Sequence, residues 1–166
     1  MEKIIIDFSM PEEPYQWKIV NDPVMGGQSS SIMFCTEYKT FMFEGKVSLE
    51  NYGGFASIRT LVRQFDFTGF RGLITRVRGD GKEYRLRLRT DDSHEGIAYQ
   101  VRFTTEQNTW KLVRLPFEAF ISVFRGQVID DAPPLDKAHV RRIGFMIADK
   151  QAGLFRLEIS WVKAYS

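Results

Sequence analysis

The side chains best equipped for recognition fall in two polar segments that each carry a glycine pair. Asn21-Asp22-Pro23-Val24-Met25-Gly26-Gly27-Gln28-Ser29-Ser30-Ser31 has a composition that neither a helix nor a strand requires. Pro23 fixes its own φ and pushes Asp22 out of the helical region, which forces a turn. Gly26 and Gly27 open backbone angles closed to other residues, while Gln28 and the serines supply short-range donors and acceptors. A second segment, Asn51-Tyr52-Gly53-Gly54-Phe55-Ala56-Ser57, leads into strand-like sequence. A tight turn closing one end of a fold would explain the proline and the glycines, but not Asn21, Asp22, Met25 and the serines. Loops on a rigid scaffold often carry recognition. The two segments are therefore expected to meet as one partner- or ligand-binding surface of Asn21, Asp22, Met25, Gly26, Gly27, Gln28, Ser29, Gly53, Gly54 and Phe55.

Bond-making chemistry is poorly supplied. His94 and His139 are the two histidines, and neither has the spacing of a metal motif or a nucleophile in a known signature beside it. Asp91-Asp92-Ser93-His94-Glu95 is rich in oxygen but lacks the spacing, glycine and closing acid of a calcium loop, so it reads as a solvated hairpin loop. Gly26-Gly27 has no P-loop lysine and no strand-loop-helix context. Cys35 follows Ile32-Met33-Phe34 and reads as a buried thiol. Arg78-Gly79-Asp80 spells an adhesion tripeptide but coincides with a turn signal. No catalytic residue, metal or cofactor is expected, and the chain is read as a non-enzymatic binding module.

The elements that must position these residues are strands. Phe41, Phe43, Gly45, Val47 and Leu49 alternate with Met42, Glu44, Lys46 and Ser48, and Phe155, Leu157, Ile159 and Trp161 alternate with Arg156, Glu158 and Ser160. That period of two marks strands with one buried face. Helical signal is confined to a turn at Pro116 to Phe120 and a short segment around Asp136 to Arg141. Asp80-Gly81 is a two-residue hairpin signal that sets Val77 opposite Tyr84, Thr75 opposite Leu86 and Leu73 opposite Leu88. A third strand, Ala98 to Thr104, returns with Tyr99 beside Leu88. Phe43, Leu86, Leu88, Val101, Phe103, Phe145 and Trp161 are the expected core. On this register Arg76, Arg78, Arg85, Arg87 and Arg102 crowd one face of neighbouring strands, where like charges repel. Either Glu83, Glu44 and Glu158 interleave with them in a solvated ion-pair lattice, or the face is a concave site for an anionic ligand or partner.

Many strands and almost no helix predict an all-β, antiparallel β-sandwich. A length of 166 residues suits one domain spanning 1–166 with a core that needs no disulfide, and 43% hydrophobic with 27% charged residues excludes wholesale disorder. Fourteen phenylalanines favour pleated sheet. One cysteine cannot form an internal disulfide, and no apolar run has the length of a signal-peptide core or a membrane span. A cytoplasmic protein without membrane insertion is the expectation.

Trp17, Asn21, Asp22, Val24, Met25, Gly26, Gly27 and Ser29, followed by Asn51, Gly53, Gly54, Phe55 and Ser57, resemble the pattern of the complex I intermediate-associated protein 30 family. Agreement continues at Arg78-Gly79-Asp80-Gly81-Lys82, Tyr84, Tyr99-Gln100, Trp110, Leu115-Pro116-Phe117, Phe120, Arg125-Gly126 and Ile143-Gly144, which is nearly the whole chain. The resemblance implies a galactose-binding-like jelly roll. It also implies an assembly factor or chaperone-like adaptor that holds a protein partner for a respiratory or other membrane-associated complex. Mitochondrial members would carry a transit peptide, so a bacterial member or a trimmed chain is expected. Carbohydrate binding is an alternative that exposed aromatics would decide, and Trp17, Trp110 and Trp161 are all expected to be buried. Binding of an anionic ligand or RNA through the arginine face is a further alternative. Nucleic acid ranks last, because a net charge of +2 gives little long-range attraction.

Overall fold

The computed structural model describes residues 1–21, 30–49, 54–90 and 96–166. Among them run thirteen strands: β1 (Glu2–Asp7), β2 (Trp17–Asn21), β3 (Ser30–Cys35), β4 (Phe41–Val47), β5 (Ala56–Thr60), β6 (Gly72–Arg78), β7 (Glu83–Arg89), β8 (Ala98–Thr104), β9 (Trp110–Pro116), β10 (Ile121–Phe124), β11 (Gln127–Val128), β12 (Arg142–Ile147) and β13 (Gly153–Tyr165). They form two antiparallel sheets. The first has the order β3-β4-β13-β6-β9, with β1 also paired to β13, and the second has the order β11-β10-β8-β7-β12-β5-β2. The expected all-β antiparallel sandwich is the fold found. The two helical signals become single 3-10 turns at Phe117–Ala119 and Lys137–His139.

Alternation builds both inner faces. Phe41, Phe43 and Val47 from β4, Leu86 and Leu88 from β7 and Phe145 from β12 are buried together, and Phe103 joins them. Trp17 from the second sheet packs 6.0 Å from the Phe41 ring of the first, so the sheets share one core. Val101 is partly buried against it. Leu49 lies beyond the end of β4 and is exposed.

Strand β13 organises the first sheet. One of its edges pairs with β4 along Gly153 to Ile159 and then with β1 along Trp161 to Tyr165, while its other edge pairs with β6. A register shift between Ile159 and Trp161 breaks the alternation at this handover. Val162 and Ala164 consequently take the inward positions, and Trp161 turns to the outer face, half-exposed instead of in the core. Trp110 is likewise half-exposed, so Trp17 alone of the three tryptophans is buried. The pairing of β1 with the end of β13 sets the chain's first and last residues side by side, with Ser166 N donating to Met1 O at 3.0 Å.

The Asp80-Gly81 turn does not form the expected hairpin. It carries the chain from one sheet to the other: Val77 pairs with Lys111 and Ile159, whereas Leu86 pairs with Val101 and Phe145. The cause is an anchor on Asp80. Asp80 Oδ1 accepts from Lys82 N at 3.1 Å and from the Tyr84 hydroxyl at 3.0 Å, and Asp80 Oδ2 accepts from Arg156 N at 2.9 Å. The buried Tyr84 hydroxyl, which needs a partner, is thereby tied to β13. The next connection agrees with expectation, since Leu88 pairs with Tyr99.

Candidate functional site

Strand β2 ends on Asn21, whose register partner is Ala56, the first residue of β5. Both glycine-paired segments therefore leave the second sheet at one place. Asn21 Oδ1 accepts from Ser31 Oγ at 3.0 Å, and Ser31 pairs with Gly45 in the first sheet, so this hydrogen bond joins the two sheets. The Ser57 hydroxyl donates to Val20 O on the adjoining rung. Gly54 has a φ of +141°, a conformation that side-chain-bearing residues rarely adopt, which accounts for glycine at that position. Phe55 is half-buried beside it. Asp22, Met25, Gly26, Gly27, Gln28, Ser29 and Gly53 lie outside the described residues. What the structure brings together is the flanks of the two segments.

An open depression of about 610 Å³ adjoins this end, lined by Ser30, Ser31, Gly45, Lys46, Leu154 and Arg156 among others. Ile32 and Leu154 stand beside it on the outer face of the first sheet, 55% and 78% exposed. Polar backbone ends and exposed aliphatic side chains thus share one rim.

The five arginines grouped from the sequence are divided, because β6 and β7 belong to different sheets. Arg76 and Arg78 face outward from the first sheet. Arg78 Nη2 meets Glu158 Oε1 at 2.7 Å, and the other oxygen of Glu158 accepts from Thr40 Oγ1 at 2.5 Å. The Arg76 guanidinium lies 4.0 Å above the Trp110 ring. Arg85, Arg87 and Arg102 face outward from the second sheet. Arg85 and Arg102 converge on Asp149, with Nη2 to Oδ1 distances of 2.5 and 3.0 Å. Burial raises the Asp149 carboxyl, but the hydrogen bonds from Arg102 and Arg85 outweigh that and hold it below the ordinary aspartate value.

Three further arginines share this second face. Register places Arg87 beside Gly144 of β12, which in turn lies beside Arg59 of β5, and it places Arg89 beside Arg142. Arg89 shares the parity of Arg85 and Arg87 and is readable from the sequence. Arg59 and Arg142 come from strands far apart in the chain, and nothing local announces that they meet. Gln100 and Arg142 point outward yet are only 2% and 3% exposed, so the face is recessed beneath its own side chains. Burial pushes the Arg87 guanidinium down to about 9, and the positive charges of Arg89, Arg85 and Arg59 add to the effect.

Other candidates come to less. Among the described residues no group of three His, Cys, Asp or Glu could hold a metal ion. His139 sits 2.9 Å from Asp136 on the surface, while His94 and its acidic neighbours lie outside the described residues. Cys35 is exposed, contrary to the buried thiol expected, because it ends β3 at the edge of the first sheet. No helix among the described residues is long and apolar enough to cross a membrane.

Two antiparallel sheets in this arrangement define a β-sandwich of the galactose-binding-like, jelly-roll kind. A family 11 carbohydrate-binding module of a cellulosomal cellulase from Clostridium thermocellum superposes with a TM-score of 0.76 over 100% of this chain and 95% of its own, at 17% identity. Residues 6–159 match the family Complex I intermediate-associated protein 30, and the chain belongs to it. It is similar to Complex I intermediate-associated protein 30, mitochondrial, of Drosophila melanogaster, with 28% identity over 96% of this chain and 61% of that protein. Its similarity to the Mus musculus protein of the same name is 26%, over 99% of this chain and 56% of that protein. The chain thus spans about three-fifths of the length of these relatives. Because they are named as mitochondrial, they overturn the cytoplasmic assignment drawn from the lone cysteine and the lack of an apolar run of signal-peptide length.

Proposed function

We propose that this chain is a non-enzymatic binding module that holds a protein partner during the assembly of respiratory complex I in mitochondria, with no cofactor in its action. The observation that carries this reading is the junction at Asn21. The register pair with Ala56 and the hydrogen bond from Ser31 bring the flanks of both glycine-paired segments to one rigid end of the sandwich, beside exposed Ile32 and Leu154. Such a rim, aliphatic in part and polar in part, has the composition of a protein-binding surface. The family name points to the same class of partner.

The test is affinity purification of the tagged chain from mitochondria, with immunoblotting for complex I subunits. Assembly intermediates are expected to co-purify with the wild type. The double variant Ile32→Asp, Leu154→Asp should recover roughly tenfold less, as expected where interface anchors are lost. Arg76→Ala, on another part of the first sheet, should recover as much as wild type. Absence of complex I subunits from the wild-type eluate, or full recovery with the double variant, would remove the reading.

Carbohydrate binding gains no support from the site. Sugar rings stack on exposed aromatics, and the outward positions of the second sheet among the described residues carry arginine, lysine, glutamate, serine, threonine, glutamine and aliphatic side chains without an aromatic ring. On the first sheet Trp110 is covered by Arg76 and flanked by Arg78, Trp161 has the Lys163 ammonium 4.2 Å from its ring, and Phe34 is exposed on the edge strand β3.

A further inference from the structure

The recessed face of the second sheet has a centre. Arg87, Gly144 and Arg59 are consecutive register partners across β7, β12 and β5, so at roughly 4.8 Å per strand the two arginines start about 10 Å apart with bare backbone between them. A Cβ on Gly144 would come within 2.8 Å of Ile58 O, so the strand pairing itself keeps side chains out of that gap. The result is a slot of bare backbone at Gly144 between the two arginine positions. Gln100, 2% exposed, lies on the other side of Arg87.

Arg87 is the central member. Its Nε is one of three on this face buried without a hydrogen bond, the others belonging to Arg59 and Arg142, which each engage other groups; Arg85 and Arg102 share Asp149, and Arg89 Nη1 donates to Gly96 O at 2.7 Å. A guanidinium kept charged in a recess, among other arginines, costs free energy that packing alone does not return. Placing an anion in the slot would offset that cost.

We propose that this face binds a compact, multiply charged phosphoryl group, seated over Gly144 and held by Arg87 with Arg59 and Arg89 at its sides. Planar guanidinium forks match the tetrahedral oxygens of a phosphate and can bind it in bidentate fashion. A phosphate monoester carries close to two negative charges near neutrality, which suits several cations around one point better than a single carboxylate. The recess also favours a small anionic group over a duplex backbone lying across the surface. The site is separate from the Asn21 rim, and its test involves no protein partner, so either assignment can fail alone.

The experiment is calorimetric titration of the full chain with pyrophosphate in buffered saline, with sodium sulfate as the control anion. Saturable binding to the wild type is expected, weakened at least tenfold by Arg87→Met, less by Arg87→Lys, and unchanged by Arg76→Ala. Circular dichroism and thermal melts establish that each variant is folded. A second arm uses vesicles containing phosphatidic acid. Vesicle binding displaced by pyrophosphate assigns the phosphoryl group to a lipid headgroup, and pyrophosphate binding without vesicle binding assigns it to a soluble ligand. The proposal is overturned if pyrophosphate does not saturate, if sulfate binds equally well, or if Arg76→Ala weakens binding as much as Arg87→Met. Tighter, Arg87-dependent binding of single-stranded RNA or of polyglutamate would also overturn it, in favour of a macromolecular polyanion.

Discussion

The two outer faces of this sandwich carry arginines at the same alternating positions and treat them differently. On the first sheet each arginine is matched in place: Arg78 by the carboxylate of Glu158, which Thr40 also holds, and Arg76 by the ring of Trp110. On the second sheet Asp149 and Glu83 serve Arg85 and Arg102 at one corner, while Arg87 faces Arg85 and Arg89 along its own strand and Arg59 across the gap. Residue type and periodicity are alike on the two faces, so what separates them is whether the compensating group is built into the fold. A face that compensates its own charge is structural. One that leaves a buried guanidinium uncompensated is poised for something from outside.

Removing a compensating group from the first sheet should have the largest effect. Glu158 is 2% exposed, and Glu158→Ala takes the carboxylate from Arg78 and leaves the Thr40 hydroxyl with Thr36 alone. A loss of about 3 kcal/mol is expected in urea denaturation. A loss under about 0.5 kcal/mol would mean that the first face does not depend on its ion pair and would erase the contrast.

Truncation on the second sheet should have the opposite sign. Arg87→Met keeps most of the aliphatic packing and removes a charge with no internal partner, so it is expected to stabilise the chain by about 1 kcal/mol. The pH dependence sharpens this. The guanidinium value falls from its ordinary range in the open chain to about 9 in the fold, so the penalty is complete below about pH 9 and shrinks above it as Arg87 sheds its proton while the unfolded state keeps its own. The facing groups are Arg85 and Arg89 on β7, Arg102 on β8, Arg142 on β12, Arg59 on β5, and Asp149 at the corner. The advantage of Arg87→Met over wild type, measured by parallel denaturant melts, should be flat from about pH 6 to 8 and diminish from about pH 9 upward. An advantage that grows with pH would contradict the assignment.

The smallest effect belongs to the aromatic contact. Arg76→Ala gives up the cation–π contact with Trp110 in a half-exposed setting, worth about 0.5 to 1 kcal/mol. Thermal melts should register it as a slight destabilisation. A stabilisation like that of Arg87→Met would make the two faces equivalent.

Local patterns predicted what local physics controls. Alternation gave the register of β7 with β8 and the inward set Phe43, Leu86, Leu88, Phe103 and Phe145, because burial of one face repeats every second residue. It failed at Trp161, where a register shift in β13 inverts the parity, and a bulge of this kind leaves no mark in composition. The Asp80-Gly81 turn misled for another reason. The bonds that decide its path, from Tyr84 and Arg156 to Asp80, join residues up to 76 positions apart. The same non-locality hid the full arginine cluster, since Arg59, Arg87 and Arg142 come from strands that meet only through sheet order. Asn21, Gly54 and Phe55 stand out in the sequence by their types, but only the pairing of Asn21 with Ala56 relates the two segments spatially.

The contact between Met1 and Ser166 has a consequence of its own. With β1 and the end of β13 adjacent in one sheet, the two ends of the chain leave the body about one strand spacing apart, roughly 5 Å. Topologically the molecule is a nearly closed ring. Such a unit can be spliced into a surface loop of a host protein, or cut at an exposed turn such as Arg125-Gly126 and rejoined at its old ends, without dismantling a strand pair. The adjacency makes the fold a portable cassette, because neither the host's backbone nor its own has to stretch to admit it.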